Sequence, residues 1–139
     1  MRRVASFPYV ERDPAFAEFS RMPYVPLQLS ANVNILMFSA LLDTGATVNV
    51  LPYLIGLQLG FVWEKQTTSL RLSGNLAAAE ARAVAIEAVI ESFPPILLAF
   101  AWTRAENAPL ALGQVNFFQE FNVCFYRTEN AFEITSRNS

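Results

Sequence analysis

The chain contains no histidine. That absence removes Ser-His and Cys-His nucleophilic systems, and any metal centre that relies on imidazole ligands. There is one cysteine, so no intramolecular disulfide can form. It lies in the apolar run Phe121-Asn122-Val123-Cys124-Phe125-Tyr126, where Cys124 reads as a strand core residue rather than a thiol nucleophile. Aspartate occurs only at positions 13 and 43. Asp13 precedes a proline in a polar stretch, where a turn role suffices; Asp43 alone is set in an apolar frame.

Charge is also sparse. Charged residues make up 16% of the chain, the formal net charge is -2, and no basic cluster exists beyond Arg2-Arg3, so nucleic acid is not an expected partner. The longest apolar stretch, Phe93 to Trp102, carries two prolines and is too short to span a bilayer. Met1 to Ser20 is interrupted by Arg12, Asp13 and Glu18, which is not the pattern of a signal peptide. A cytoplasmic, non-membrane protein is the resulting expectation. The Met1 start and the polar end Ser136-Arg137-Asn138-Ser139 read as a free-standing protein rather than an excised fragment.

What is abundant is apolar. A chain of 139 residues suits one domain with a real core. With 53% hydrophobic and 13% aromatic residues it carries more apolar surface than one small domain buries, so self-association is expected. Residues 1–22 mix Arg, Pro, Phe and Glu without clean periodicity and read as an N-terminal arm, with a short strand or helical turn near Pro14 to Phe19; residues 23–139 read as the single domain. Tyr24 to Ser30 and Val33 to Leu42 are strand candidates around a polar turn at Ser30-Ala31-Asn32. Thr47 to Leu51 alternates before Pro52, and Tyr53 to Leu59 suits a short helix ended by Gly60.

Further along, Thr67 to Leu72 and Ala83 to Ile90 flank the small-residue stretch Ser73 to Ala79. The Ala/Glu run Leu76 to Ala88 reads as helix by propensity, whereas the alternation of Val84, Ile86, Ala88 and Ile90 reads as strand. Ile96 to Trp102, Val123 to Tyr126 and Ala131 to Ile134 are strand candidates, the last two around Arg127 to Asn130. Val115, Phe118 and Phe121 suit a short amphipathic helix over Gln114 to Phe121. Trp63 and Trp102 read as core or interface aromatics. Many short strands, regular turns and one late helix describe a mainly β domain.

The most informative stretch is Ala40-Leu41-Leu42-Asp43-Thr44-Gly45-Ala46-Thr47-Val48-Asn49-Val50-Leu51-Pro52. It places one carboxylate on a tight Thr-Gly-Ala turn between two apolar runs. A charge there is costly to bury unless it is hydrogen-bonded or used. An ordinary turn is the plain alternative, since Asp and Gly are favoured in turns.

This stretch resembles the active-site loop of the aspartic peptidases, and the order of elements resembles the retroviral-type, retropepsin-like family over roughly Tyr24 to Ile134. After Leu-Leu-Asp-Thr-Gly-Ala comes a hairpin over Leu70 to Val84 with Ser73-Gly74 near its turn. Then follow Ala111-Leu112-Gly113, a short helix and a final hairpin. The resemblance implies a closed β-barrel of the acid-protease type with a short helix in its C-terminal half, and it favours the strand reading of Ala83 to Ile90. Viral members usually carry Asp after the loop Ala and Arg after the late Gly, as an ion pair. Here Thr47 and Gln114 stand at those positions, so both charges are missing together and a neutral hydrogen bond is the expected replacement.

The family's chemistry uses two carboxylates about a water, sharing one proton because adjacent negative charges are unfavourable. The motif occurs once, so the resemblance implies a twofold homodimer in which each subunit supplies Asp43. It also implies supporting roles for Thr44, Gly45 and Ala46, a flap with Leu72, Ser73, Gly74 and Asn75 at its tip, and a second supporting loop at Leu112-Gly113. No cofactor or metal is expected, and the substrate is a peptide or protein cleaved at acid to mildly acid pH. A second reading keeps the fold without the activity, as a dimerisation or peptide-binding module. A third, a lipid- or small-ligand-binding barrel, gives Asp-Thr-Gly-Ala no purpose.

Overall fold

The computed structural model describes residues 3–11, 15, 20–72, 76 and 79–137. Its strands are β1 (Val4–Pro8), β2 (Val10–Glu11), β3 (Arg21–Met22), β4 (Tyr24–Ala31), β5 (Asn34–Leu42) and β6 (Asn49–Pro52), then β7 (Ser69–Leu70), β8 (Ala81–Val89), β9 (Ile96–Thr103), β10 (Ala111–Leu112), β11 (Phe121–Tyr126) and β12 (Ala131–Ser136). Among the described residues, two short α-helices, Tyr53–Gln58 and Phe117–Glu120, and the 3-10 turns Trp63–Lys65 and Arg127–Glu129 interrupt them. Six strands close a barrel in the order β4-β5-β10-β6-β9-β8, because β8 pairs back onto β4 through Leu29 and Ala88; β7 extends the sheet beyond β8.

The barrel interior follows the period of two along each strand. Val25, Leu27 and Leu29 point inward from β4, and Val84, Ile86 and Ala88 do so from β8. Across the β8–β9 pair, Val84 faces Phe100 and Ile86 faces Leu98, all buried. This settles the segment in which propensity and alternation disagreed: Ala81–Val89 is strand. The Ala/Glu composition favours a helix by only a few tenths of a kcal/mol per residue, roughly. Burying side chains such as Ile86 and Val84 is worth about 1.5–3 kcal/mol each, and packing decides.

The β4–β5 hairpin turns at Asn32 and Val33, with φ of 53° and 77°. The turn therefore lies one residue later than the polar triplet at Ser30 suggests, and Ala31 opposite Asn34 closes the ladder. Two positive φ values match the right-handed twist of a two-residue hairpin, and Asn tolerates that backbone better than most residues. Asn32 Nδ2 also donates to the carbonyl of Leu59, 3.1 Å away. The helix Tyr53–Gln58 stops before Gly60, whose φ of +88° lies in the region that glycine reaches freely.

The second sheet runs β1-β12-β11. Residues Val4–Pro8 of the N-terminal arm pair along their whole length with β12, and Phe7 stacks on Phe132 with ring centroids 5.2 Å apart. The short strand or helical turn expected near Pro14 to Phe19 falls outside the described residues apart from Ala15. Cys124 corrects the sequence reading: it is exposed, not core. β11 is an edge strand with one face on the core, so Phe121 is buried and Val123 partly so, while Asn122 and Cys124 alternate outward. Beside it, Tyr126 donates its hydroxyl to Glu133 Oε1 at 3.0 Å, and this bond to a carboxylate raises the phenol above its ordinary pKa. Among the described residues no helix is long and apolar enough to cross a membrane.

An aromatic knot closes the barrel's side. Trp102 is fully buried, stacks on Tyr53 at 5.4 Å, meets Trp63 edge-on at 5.1 Å and donates its Nε1–H to the Tyr53 carbonyl. The helix can pass this indole only because residue 56 is glycine: a Cβ there would lie 2.2 Å from Trp102 Nε1. Helix propensity alone predicts that Gly56→Ala stabilises by up to about 1 kcal/mol. The contact predicts the opposite sign, a loss of about 1–3 kcal/mol or more from overpacking, to be read in a urea titration.

Candidate active site

The segment after β5 turns sharply at Asp43. The Ala46 N–H donates to the Asp43 carbonyl at 3.0 Å, and the Gly45 N–H donates to Asp43 Oδ1 at 3.0 Å. A Cβ on Gly45 would lie 3.3 Å from that same oxygen, tighter than most side chains accept. Glycine thus lets its own N–H approach the carboxylate. Among the described residues no other donor reaches the Asp43 carboxylate, which is half-buried. The backbone of Asp43 is anchored from below by its N–H to the Leu112 carbonyl, 3.0 Å away.

That anchor comes from the late Ala-Leu-Gly stretch. β10 slots between β5 and β6, with Ala111 and Leu112 parallel to Leu41 and Leu42, and Ala111 antiparallel to Val50. Leu112 is fully buried. Gly113 packs so closely that a Cβ would lie 2.6 Å from the Val48 carbonyl oxygen and 2.7 Å from that of Ala46. The Gln114 and Val115 N–H groups then donate to the carbonyls of Ala46 and Thr47 at 2.9 and 2.8 Å. These bonds, and the Val48–Val115 bridge, tie residues 114 and 115 to the Asp43 loop and keep them out of the helix. The helix expected over Gln114 to Phe121 is accordingly confined to Phe117–Glu120.

The expected neutral substitute for the viral ion pair exists in a different form. Gln114 Nε2 donates to the Thr44 carbonyl at 2.8 Å, and Thr47 meets this loop through its backbone carbonyl. Gln114 thereby braces the exposed Thr44 end of the turn.

Two amides that sequence reading passed over sit beneath both loops. Asn49 is fully buried: its Oδ1 accepts the Gly113 N–H at 2.8 Å, and its Nδ2 donates to the Ala99 carbonyl and to Asn116 Oδ1 at 2.9 and 3.2 Å. Asn116 accepts the Ala99 N–H and donates to the Leu97 carbonyl, each at 3.1 Å, so its side chain fills a place on the edge of β9 that a neighbouring strand would otherwise take. The available signal was an amide between two valines in Val48-Asn49-Val50, a polar group in an apolar strand that needs partners.

Above these supports lies a cleft of about 370 Å³. Its walls are apolar (Val48, Val50, Leu72, Leu76, Pro109 and Ala111), and its polar contributors are Asp43, Thr47 and Arg71 beside Gly45 and Ala46. Of the residues expected at the site, the structure brings Asp43, Gly45, Ala46 and Leu72 to this cleft. Thr44 is exposed beside it, and Leu112 and Gly113 lie beneath, buried. Ser73, Gly74 and Asn75 fall outside the described residues; the β7–β8 hairpin that leads to them is present, with Ser69 opposite Arg82 and Leu70 opposite Ala81. Among the described residues no three His, Cys, Asp or Glu side chains are grouped as a metal site.

The backbone fold has a counterpart among solved structures. The crystal structure of a retropepsin-like aspartic protease from Rickettsia conorii matches 98% of this chain and 94% of its own, with a TM-score of 0.64 and 14% sequence identity. The chain has the retropepsin-like fold. No protein-family model and no curated protein matches it. At this identity the likeness concerns backbone architecture; in this chain Asp43 lines the cleft with its N–H on the Leu112 carbonyl.

Removing the buried Asn49 amide would orphan the Gly113 N–H and the Ala99 carbonyl. Asn49→Ala is expected to lower stability by about 1–3 kcal/mol for each polar group left unpaired. Chemical denaturation measures this, and a loss below about 0.5 kcal/mol would show that the amide does not bind the loops together.

Proposed function

We propose that the protein is an aspartic endopeptidase that works as a twofold homodimer, with Asp43 of each subunit meeting at the axis. The observation that carries the reading is the Asp43 carboxylate at the floor of an apolar cleft, held by one backbone N–H and otherwise free of donors among the described residues. The bond from the Gly45 N–H is one that a structural turn aspartate also makes with its own backbone. What sets Asp43 apart is its place in the lining of the apolar cleft.

In the proposed reaction one carboxylate is ionised and removes a proton from a water held between the pair, as that water attacks the peptide carbonyl. The other carboxyl is protonated and donates to the carbonyl oxygen, giving a tetrahedral diol; its collapse breaks the C–N bond as the amine leaves with the proton taken from water. Thr44 would brace the two loops across the axis, and Gly45 and Ala46 leave room for extended substrate backbone. The hairpin reaching from Leu70 toward Ser73-Gly74-Asn75 would cover the bound peptide and exclude water.

Asp43→Asn should leave melting behaviour unchanged while lowering peptide hydrolysis by at least about 10²-fold, the scale of a lost acid–base catalyst. Hydrolysis undiminished in that variant would refute the mechanism. A well-folded wild type that cleaves no peptide across acid and neutral pH would favour the inactive peptide-binding module. Activity per subunit should also fall on dilution below the dimer dissociation constant; constant specific activity in a demonstrable monomer would exclude the shared pair.

A further inference from the structure

Among the described residues, Arg71 is the one cationic side chain lining the cleft that holds Asp43. It follows β7 directly and is exposed, while its neighbour Leu72 is buried against the cleft wall. Two other arginines nearby in the chain's fold are committed. Arg82 pairs with Glu80 and lies over the Trp63 ring, and Arg104 lies over the rings of Tyr53 and Trp63. Arg71 has no hydrogen bond, ion pair or ring contact with any described residue. An exposed arginine in a mainly apolar cleft, with none of its five donors taken by a described residue, is suited to a planar anion.

We propose that Arg71 makes the cleft select peptides that carry a carboxylate side chain at a position flanking the apolar residues beside the scissile bond. This deepens the peptidase reading and rests on it for the cleaved bond and the twofold axis. The fork of the guanidinium accepts Asp or Glu through two parallel N–H···O bonds. The Asp43 pair, sharing one proton, keeps a negative charge at the centre and disfavours acidic side chains immediately beside the bond. The acidic positions therefore lie outward from it. One Arg71 per subunit, related by the twofold, places the two positions the same number of residues before and after the cleaved bond.

The test uses peptides with a common Leu-Phe centre, in which Glu, Gln or Lys is placed singly at each flanking position. They are assayed for cleavage by wild type and Arg71→Glu, and for binding to the Asp43→Asn protein with and without Arg71→Glu. The expected result is a preference for Glu over Gln of about 3- to 10-fold, the scale of a partly solvated charge pair. It should occur at two positions equidistant from the bond and shrink at high salt. Arg71→Glu should turn it into a preference for Lys.

Cleavage with equal rates for Glu and Gln at every position, or a Glu preference that survives Arg71→Glu, overturns the acidic subsite and leaves the peptidase reading intact. Glu-selective binding that reverses in Arg71→Glu, without cleavage by wild type, overturns the peptidase reading alone. Neither cleavage nor binding overturns both.

Discussion

The arrangement depends on one close approach: the backbone of Gly113 lying against the carbonyls of Ala46 and Val48, where a Cβ would come within 2.7 Å of both. From that contact the rest of the site follows. With the two loops in touch, Gln114 and Val115 can donate to Ala46 and Thr47, and Leu112 can receive the Asp43 N–H. The Asn49 amide then binds the underside, joining Gly113 to β9 through Ala99 and Asn116. Asp43 is thus held by backbone geometry rather than by ion pairs, which explains how the loop dispenses with the charged pair of the viral pattern. The two side chains that replace that pair, Thr47 and Gln114, need no contact with each other, because Gln114 finds the Thr44 carbonyl instead.

Much of this was legible in the sequence because the governing constraints are local. Asp43-Thr44-Gly45 announces a turn between apolar runs. The period of two in Val84, Ile86 and Ala88 announces a strand once burial is weighed against helix propensity. Gly60 marks a helix end that the structure places at positive φ. The parts that were missed depend on residues far apart in sequence. Asn49 and Asn116 are 67 positions apart and acquire meaning only when β6, β9 and β10 are brought together. Cys124 lies in a run as apolar as any core strand, and only the order of the three-stranded sheet reveals that β11 is an edge with one face in water. The helix over Gln114 to Phe121 was overestimated for the same reason: Val115 is claimed by its bridge to Val48, a partner outside any local window.

The match to the Rickettsia conorii protein at 14% identity fits this division. A fold of this kind constrains few residues absolutely: glycines where backbones touch, apolar residues at alternate strand positions, and one polar group wherever a buried donor or acceptor needs a partner. Most other positions are free to change. The cleft lining holds one such position, since Arg71 lines it without a hydrogen bond, ion pair or ring contact to any described residue. Differences of specificity among proteins with this fold are expected to concentrate at such positions rather than at the loops beneath them.

The central claim is that two copies of Asp43 form one reaction centre, and mixing subunits tests it most directly. Wild type and Asp43→Asn chains would be unfolded and refolded together at varied ratios and constant total concentration, and peptide hydrolysis measured for each mixture. If both carboxylates are required, mixed dimers are inactive and activity follows the square of the wild-type fraction. A linear dependence would mean that each chain carries a complete centre, and would contradict the account.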